Sequence, residues 1–353
     1  MTGRPRRLAT RLLTSGSLLL SVASQEVSAQ AASSGGPPGD LGAYAAGIFT
    51  AAPSSTEGAL TLLLPIGAKG IAMGRAVTSS PGRESVFWNP AGLAALEGGS
   101  FFVYRGSNLA GEATGFSLLL ARQPLGVLAL SYQHLNLGDQ DLKDAENNVI
   151  GSFSVRDHLA VVSFGLQVLP RLDAGLNFKV FQSRYICRGQ CLDAGVTGTT
   201  YALDAGIQSE PLGDIPLRVG ALIAHVGPSL QLINVEQADP LPTRLRAAIS
   251  YETFRHFSEM EGVELWLSAE LEDRWRSLGD PVLFLGSELV VGEDDLVYLR
   301  AGYGQQQVGR GAGASVGLGI RYDRFELGIA KRLSASTVSG EAEPVHITFG
   351  VTF

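Results

Sequence analysis

The feature that most constrains this chain is an alternation of apolar with polar or small residues that starts at Ser100 and continues to Phe353. Between residues 172 and 182, one face carries Ala174, Leu176, Phe178 and Val180, and the other carries Asp173, Gly175, Asn177 and Lys179. Successive side chains of a strand point to opposite faces, so the pattern predicts strands with one apolar face. No uninterrupted apolar run reaches the roughly 18 residues that a membrane helix needs. A β-sandwich would show the same alternation.

The lengths of the connections distinguish a sandwich from a barrel. The alternation predicts about fourteen strands, near residues 100–105, 113–122, 126–135, 157–168, 172–183, 201–210, 217–226, 243–253, 263–273, 281–292, 296–304, 313–323, 325–332 and 345–353. Every second connection is short, as at residues 123–125 and 169–171, and most of those between are long, as at residues 136–156 and 184–200. This segregation is typical of outer-membrane barrels. We therefore expect an all-β fold, a 14-stranded antiparallel transmembrane β-barrel over residues 100–353.

The predicted last strand ends on Phe353. It places Ile347, Phe349, Val351 and Phe353 on one face. A final strand that ends in phenylalanine resembles the signal by which barrel-assembly machinery recognises its clients. Pairing with the first strand would remove the exposed sheet edge. An even strand number puts both barrel ends on the short-turn side, so we expect them in the periplasm of an outer-membrane protein.

The N-terminus predicts export. A basic segment with Arg4, Arg6, Arg7 and Arg11 precedes an apolar core at residues 12–23, and small residues follow at Val27-Ser28-Ala29. This order is typical of a signal peptide, which we place at residues 1–29. Residues 30–59 are rich in Ala, Ser, Gly and Pro and predict a flexible spacer. Cleavage would take the formal charge from -7 to -10, which argues against nucleic acid as a partner.

No set of residues predicts catalysis. The histidines His134, His158, His225, His256 and His346 are scattered without metal-ligand spacing. We therefore expect neither an enzyme nor a bound cofactor. Cys187 and Cys191 lie close together in a polar stretch, and in an oxidising compartment we predict a small-loop disulfide. The alternative is a redox-active pair, while a zinc site would need further ligands.

Two groups of charged residues are candidate binding sites. The first is an acidic cluster in the expected loop after the third strand, formed by Asp139, Asp141, Asp144 and Glu146. These side chains could hold Ca²⁺ or be a solvated loop surface. Arg244 and Arg246 share the polar face of their strand and are expected to face the lumen. They could bind an anionic head group or hydrogen-bond to a hatch that the segment before the strands forms in the lumen.

Two sequence blocks precede the strands. The first, at residues 65–76, contains Gly67, Ala68, Gly70 and Gly74, and the second, at residues 87–93, contains Asn89, Pro90, Ala91 and Gly92. Together they resemble the N-terminal signature of the PorV/PorQ family, within the FadL-like superfamily of outer-membrane barrels. That family has paired aspartates before the Asn-Pro block, where this chain has Ser80-Pro81-Gly82-Arg83-Glu84-Ser85.

The resemblance implies a hatch, with short helices, that folds into the barrel lumen. We place this hatch segment at residues 60–99, and it could be a static plug or a gate. Gly67, Gly70, Gly74 and Gly92 would permit close backbone approach to the wall. The implied function is a binding and shuttle component of type IX-like secretion, with cargo proteins or a translocon as partners. The alternatives are FadL-like transport of hydrophobic small molecules across the outer membrane and a structural scaffold in its lipid.

Overall fold

The computed structural model describes residues 57–108, 111–191, 195–211, 215–233, 238–254, 262–305, 312–333 and 345–353. The expected signal peptide lies outside the described residues, as does the expected spacer apart from residues 57–59, and both stay predictions. Within the described ranges, no helix is long and apolar enough to cross a membrane.

The described residues form a closed barrel of fourteen antiparallel strands, which confirms the expected architecture. The strands are β1 (Ser100–Asn108), β2 (Gly111–Arg122), β3 (Gly126–Lys143), β4 (Val149–Leu169), β5 (Leu172–Gly189), β6 (Gly195–Ser209), β7 (Leu217–Val226), β8 (Arg244–Glu252), β9 (Val263–Arg274), β10 (Ser277–Val291), β11 (Leu296–Gln305), β12 (Ala312–Tyr322), β13 (Phe325–Arg332) and β14 (Val345–Thr352). β1 pairs with β14, and Ser100 lies opposite Thr352. This pairing removes the free sheet edge, as a bilayer requires.

The distribution of polar and apolar side chains over the two faces of the wall is the reverse of that in a water-soluble protein. On β5, Leu176 and Phe178 point outward and are exposed, whereas Asn177 and Lys179 point inward and are buried. Other strands repeat this arrangement, with apolar side chains outside and many polar ones inside. The alternation therefore produces the apolar outer surface and polar interior of a transmembrane barrel.

The two barrel ends differ in what they carry. One end, which we call the turn end, holds the start of β1, the end of β14 and tight connections such as Pro170-Arg171. The opposite end, the loop end, holds the connections from odd-numbered to even-numbered strands. β9 and β10 are nevertheless joined there by Trp275 and Arg276 alone, so connection length separates the ends only in part.

Two of the long loops predicted at the loop end are not present, so these two predictions were wrong. Most of residues 136–156 and 184–200 belong to strands. The connections that remain are residues 144–148 and 190–194. Backbone pairing does not require apolar side chains, and the ladders continue beyond the apolar surface, where Ser152 pairs with Asp141 on one side and Arg188 on the other.

The hatch segment lies inside the barrel. It contains one short α-helix, α1 (Ala68–Ala72), and 3-10 turns at Leu60–Leu63, Arg83–Phe87 and Pro90–Leu93. Its residues bond to inward-facing groups of β5, β6, β8, β9, β12 and β14. The expected luminal hatch with short helices is therefore present, and it supplies the site described next.

Candidate functional site in the barrel lumen

The Asn-Pro block packs against a patch of wall that has no side chains. Gly165, Gly175 and Gly206 are neighbours in register on β4, β5 and β6, and we call them the glycine row. A Cβ atom on Gly175 would lie 2.2 Å from the carbonyl carbon of Pro90, and one on Gly206 would lie 2.0 Å from Asn89 Oδ1. The sequence analysis missed these wall glycines. Their only signal is the lack of a side chain at inward positions of three successive strands.

Asn89 joins three separate pieces of backbone. Its Nδ2 donates to the carbonyl oxygens of Thr78, at 2.7 Å, and Ile207, at 3.0 Å. Its Oδ1 accepts the Ala91 N–H at 3.2 Å, which caps the turn Pro90–Leu93. Since Asn89 is buried, these bonds satisfy groups that water does not reach. The local bond follows from the residue type, whereas the other two depend on the fold.

Four hatch glycines were expected to approach the wall: Gly67, Gly70, Gly74 and Gly92. Gly74 does so, since a Cβ atom there would lie 2.6 Å from the backbone nitrogen of Tyr303 on β11. A Cβ atom on Gly92 would lie 2.6 Å from Ser85 Oγ within the hatch and 2.7 Å from the Gln208 side chain of β6. Gly67 and Gly70 instead make room within the hatch for the side chains of Glu84 and Trp88. Among the four, only Gly74 has the backbone of the wall as its nearest neighbour.

Glu84 holds the start of α1, and the sequence analysis did not select it as a site residue. Its carboxylate accepts the N–H groups of Lys69, at 3.2 Å, and Gly70, at 3.1 Å, together with the Thr348 hydroxyl of β14 at 3.1 Å. The same hydroxyl oxygen accepts the Ala68 N–H at 2.9 Å. Burial raises the pKa of Glu84 above its ordinary value. Glu84 lies in the stretch where the resembled family has its aspartates.

A second set of buried charges ties the hatch segment to β9. Arg75 pairs with Glu272 at 3.1 Å, and Arg246 of β8 pairs with the same carboxylate at 2.5 Å. Glu270 accepts both the N–H and the hydroxyl of Thr78 at 2.9 Å. Buried charges are costly unless they are paired and hydrogen-bonded. Loss of one partner would therefore weaken the attachment of the hatch.

The two arginines expected in the lumen are both buried there, with different partners. Arg244 forms a two-pronged contact with Glu57, just before the hatch segment, at 2.8 and 2.7 Å. Arg246 bonds to the wall and lies 5.4 Å from the centre of the Trp88 ring. Both guanidinium groups therefore contact the protein itself, and binding of an anionic ligand by them stays a prediction.

Trp88 separates two cavities. Toward the loop end lies a small cavity of about 10 Å³. Its lining combines apolar residues with polar or charged ones: Leu62, Leu63, Ile66, Phe87 and Leu222, and Lys179, Asp204, His225 and Arg246. Toward the turn end lies a cavity of about 180 Å³, lined by residues that include Lys69, Arg83 and Arg300. Trp88 lines both cavities, and its Nε1 donates to the Ile66 carbonyl oxygen at 2.9 Å.

The wall beside the loop-end cavity has an irregular ladder. The register between β6 and β7 shifts between Leu203 and Ala205, and His225 on β7 has a φ of 62°. The His225 N–H bonds to the Asp204 carboxylate at 2.8 Å.

An apolar depression of about 530 Å³ lies on the outer face of this part of the wall. Its lining includes Leu176, Ala205, Ile207, Ala221, Ile223 and Leu245. Leu222 and Arg246 line both the depression and the loop-end cavity, so only a thin part of the wall separates the two.

The cysteines lie at a strand end. Cys187 is near the end of β5 and is bonded to Cys191, two residues beyond the strand. They are therefore placed by an extended hairpin and not by the long loop that the sequence analysis expected.

The acidic residues near the loop end are dispersed. Asp139 and Asp141 lie exposed on β3, whereas Asp144 and Glu146 belong to the connection to β4. Asp144 accepts the Asn148 N–H at 2.8 Å, and hydrogen bonds from Asn148 lower the pKa of its carboxyl group. Within the part of the chain that the structure describes, no cluster of three or more metal-ligating side chains is present.

Solved structures share this fold, although no protein-family model and no curated protein sequence matches the chain. The Ralstonia pickettii toluene transporter TbuX is 11% identical, with a TM-score of 0.53 over 81% of this chain and 98% of that one. The Pseudomonas putida toluene transporter TodX is 12% identical, with a TM-score of 0.53 over 80% and 96%. The monoaromatic hydrocarbon channel CymD is 11% identical, with a TM-score of 0.53 over 82% and 98%.

These similarities establish the fold. This chain has the closed 14-stranded barrel expected from its sequence, and it shares that fold with TbuX, TodX and CymD. The narrower resemblance to the PorV/PorQ family stays a prediction.

Proposed function

We propose that this protein is an outer-membrane channel for hydrophobic small molecules, with its turn end in the periplasm. One observation carries the proposal: the loop-end cavity and the apolar depression outside the barrel share Leu222 and Arg246 as lining residues. A molecule that dissolves poorly in water could pass between lumen and membrane here without crossing the full length of the barrel. TbuX, TodX and CymD, which share the fold, are named as transporters or channels for toluene or monoaromatic hydrocarbons.

The hatch gives the loop-end cavity an apolar part that suits this substrate class. The first hatch turn contributes Leu62 and Leu63, and Phe87 adds an aromatic face. These apolar groups form one part of the lining and favour an apolar ligand there. Lys179, Asp204, His225 and Arg246 form the polar part. Because the cavity holds only about 10 Å³, entry requires the Leu60–Leu63 turn to move. The hatch is therefore a gate in this proposal.

The wall supports a lateral route. Where the β6–β7 ladder shifts, a side chain takes the place of a ladder partner, since Asp204 accepts the His225 N–H. Small residues at Ala205 and Ala221 form part of the outer depression. Fewer ladder bonds and small side chains make this the part of the wall that opens most readily.

The proposal is tested by a substitution that fills the outer depression with a large side chain. Replacing Ala221 with Trp should slow toluene uptake by cells about tenfold, which corresponds to ~1.4 kcal/mol in the barrier. Ala269→Trp is the matched control, since Ala269 is also a partly exposed alanine on the outer face, two strands away on β9 and outside the depression. Surface amounts of both variants are measured by immunoblotting. Equal uptake by the two variants at equal amounts would rule out the lateral route.

Type IX-like secretion is the second candidate function. It is favoured by the resemblance of residues 65–76 and 87–93 to the PorV/PorQ signature, but in this structure the Asn-Pro block packs against the glycine row. Recovery of a cargo domain or a translocon component with the purified barrel would support secretion. If neither partner binds and deletion leaves uptake unchanged, the scaffold alternative is left.

A further inference from the structure

The outer surface of β3–β5 changes from apolar to cationic over a short distance toward the loop end. Laterally paired residues form rows across these strands, and successive outward rows lie about 7 Å apart. From the middle of the barrel toward the loop end, the rows are Leu130–Val162–Phe178, Tyr132–Ala160–Val180, His134–His158–Gln182 and Asn136–Arg156–Arg184. The cationic row therefore lies two rows beyond the last fully apolar side chains.

Arg156 and Arg184 are the notable members of these rows. They are direct register partners on β4 and β5, and both are exposed. Neither forms an ion pair with any other described residue. Like charges directly opposite each other destabilise a sheet. This arrangement favours an anion from outside the chain.

The side chains around Arg156 and Arg184 leave the two guanidinium groups available to a ligand. Tyr132 holds His158 through a hydrogen bond of 2.6 Å to Nδ1, and the His158 ring lies 4.9 Å from that of His134. Carboxylates on the same strands are turned away or lie further out. Asp157 points inward and is bonded to Ser183, while Asp139 lies closer to the loop end of β3.

We propose that Arg156 and Arg184 bind the phosphate of an anionic lipid in the surrounding membrane. Two adjacent guanidinium groups can share one phosphate through charge-assisted hydrogen bonds. The rows nearer the middle of the barrel then provide an apolar track for the acyl chains, along Val162 and Phe178. A soluble anion would gain nothing from those rows. The site therefore holds one leaflet lipid at β4–β5, apart from the proposed transport route.

The experiment titrates the detergent-purified full-length protein with dioleoyl-phosphatidylglycerol and counts bound lipids by native mass spectrometry. The double variant Arg156→Gln/Arg184→Gln should bind the first lipid at least about tenfold more weakly, as expected for the loss of two cationic contacts. Arg122→Gln/Arg171→Gln is the control, since it removes the same charge from exposed positions at the turn end. Both variants alter exposed side chains, and heat-modifiable gel migration checks that the barrel is intact.

Three outcomes would overturn the proposal. The double variant could retain the lipid as tightly as the unmodified protein. Dioleoyl-phosphatidylcholine could bind as tightly as the anionic lipid, which would mean that charge is not recognised. Inorganic phosphate at the lipid's concentration could displace the lipid, which would identify a site for soluble anions. Selective loss in the double variant, with the control unchanged and phosphate ineffective, would support the site.

Discussion

At the residue scale, the hatch depends on a few buried polar side chains that each serve more than one partner. Asn89 bonds to its own turn, to another part of the hatch and to the β6 backbone. Glu272 pairs with one arginine of the hatch and one of the wall. The energetic consequence of changing such a residue comes mainly from the partners that remain buried without it.

Replacing Asn89 with Ala should loosen the hatch by about 2–4 kcal/mol, because the Thr78 and Ile207 carbonyl oxygens lose a buried donor. Hydrogen exchange of the hatch amides measures the effect. Asn148→Ala, which removes an exposed side-chain bond to Asp144, is the control. Unchanged exchange in the Asn89 variant would contradict the assigned role.

Replacing Glu272 with Gln should cost about 3 kcal/mol, because two buried guanidinium groups lose their shared carboxylate. Denaturant unfolding of the barrel in detergent reports the loss. Glu112→Gln breaks an exposed pair with Arg105 and should change stability by less than about 1 kcal/mol. Equal effects from the two variants would show that the buried network is not a structural attachment.

At the scale of elements, the hatch docks where inward-facing positions of the strands are glycines. The glycine row lets the Pro90–Leu93 turn approach the backbones of β4 and β5. Gly286 and Gly302, which are register partners on β10 and β11, receive Met73 and Gly74 of the first block in the same way. Each of the two hatch blocks thus has a complementary wall surface, one on β4–β6 and the other on β10 and β11.

Gly175→Ala should destabilise hatch docking by about 2 kcal/mol, since the added methyl group overlaps the Pro90 carbonyl carbon. Gly115→Ala is a matched control. Gly115 is also an inward-facing strand glycine, but its nearest neighbour to a new Cβ atom is 3.5 Å away. Limited proteolysis of the hatch distinguishes the variants. Equal protection of the hatch in both would show that close approach at Gly175 is not required.

At the scale of the whole molecule, the apolar outer face of the wall requires an apolar solvent around the barrel. The turn end and the loop end differ, so the barrel has a direction across that solvent. The extended β3–β4 and β5–β6 hairpins project at the loop end, whereas the chain ends of the barrel lie at the turn end. Long connections usually face outward in outer-membrane barrels. This supports our proposal that the turn end lies in the periplasm and the loop end outside the cell.

An epitope tag inserted after Ala145, in the β3–β4 connection, should be accessible to antibody on intact cells. The same tag after Asp294, in the β10–β11 turn, should become accessible only after the outer membrane is permeabilised. Trypsin resistance of each tagged barrel checks that it is assembled. The reverse labelling pattern would invert the proposed orientation.

The strand positions and the identity of the outward face were determined by the sequence alone, because side-chain alternation is a local property of each strand. Every predicted strand has its counterpart in the structure. The expected loops at residues 136–156 and 184–200 were wrong, because hairpin length is set by backbone pairing, which polar residues permit as well. Likewise, tertiary structure alone brought Glu84 to Thr348 and Pro90 to Gly175. These contacts join residues far apart in the chain, and only closure of the barrel around the hatch decides which of them meet.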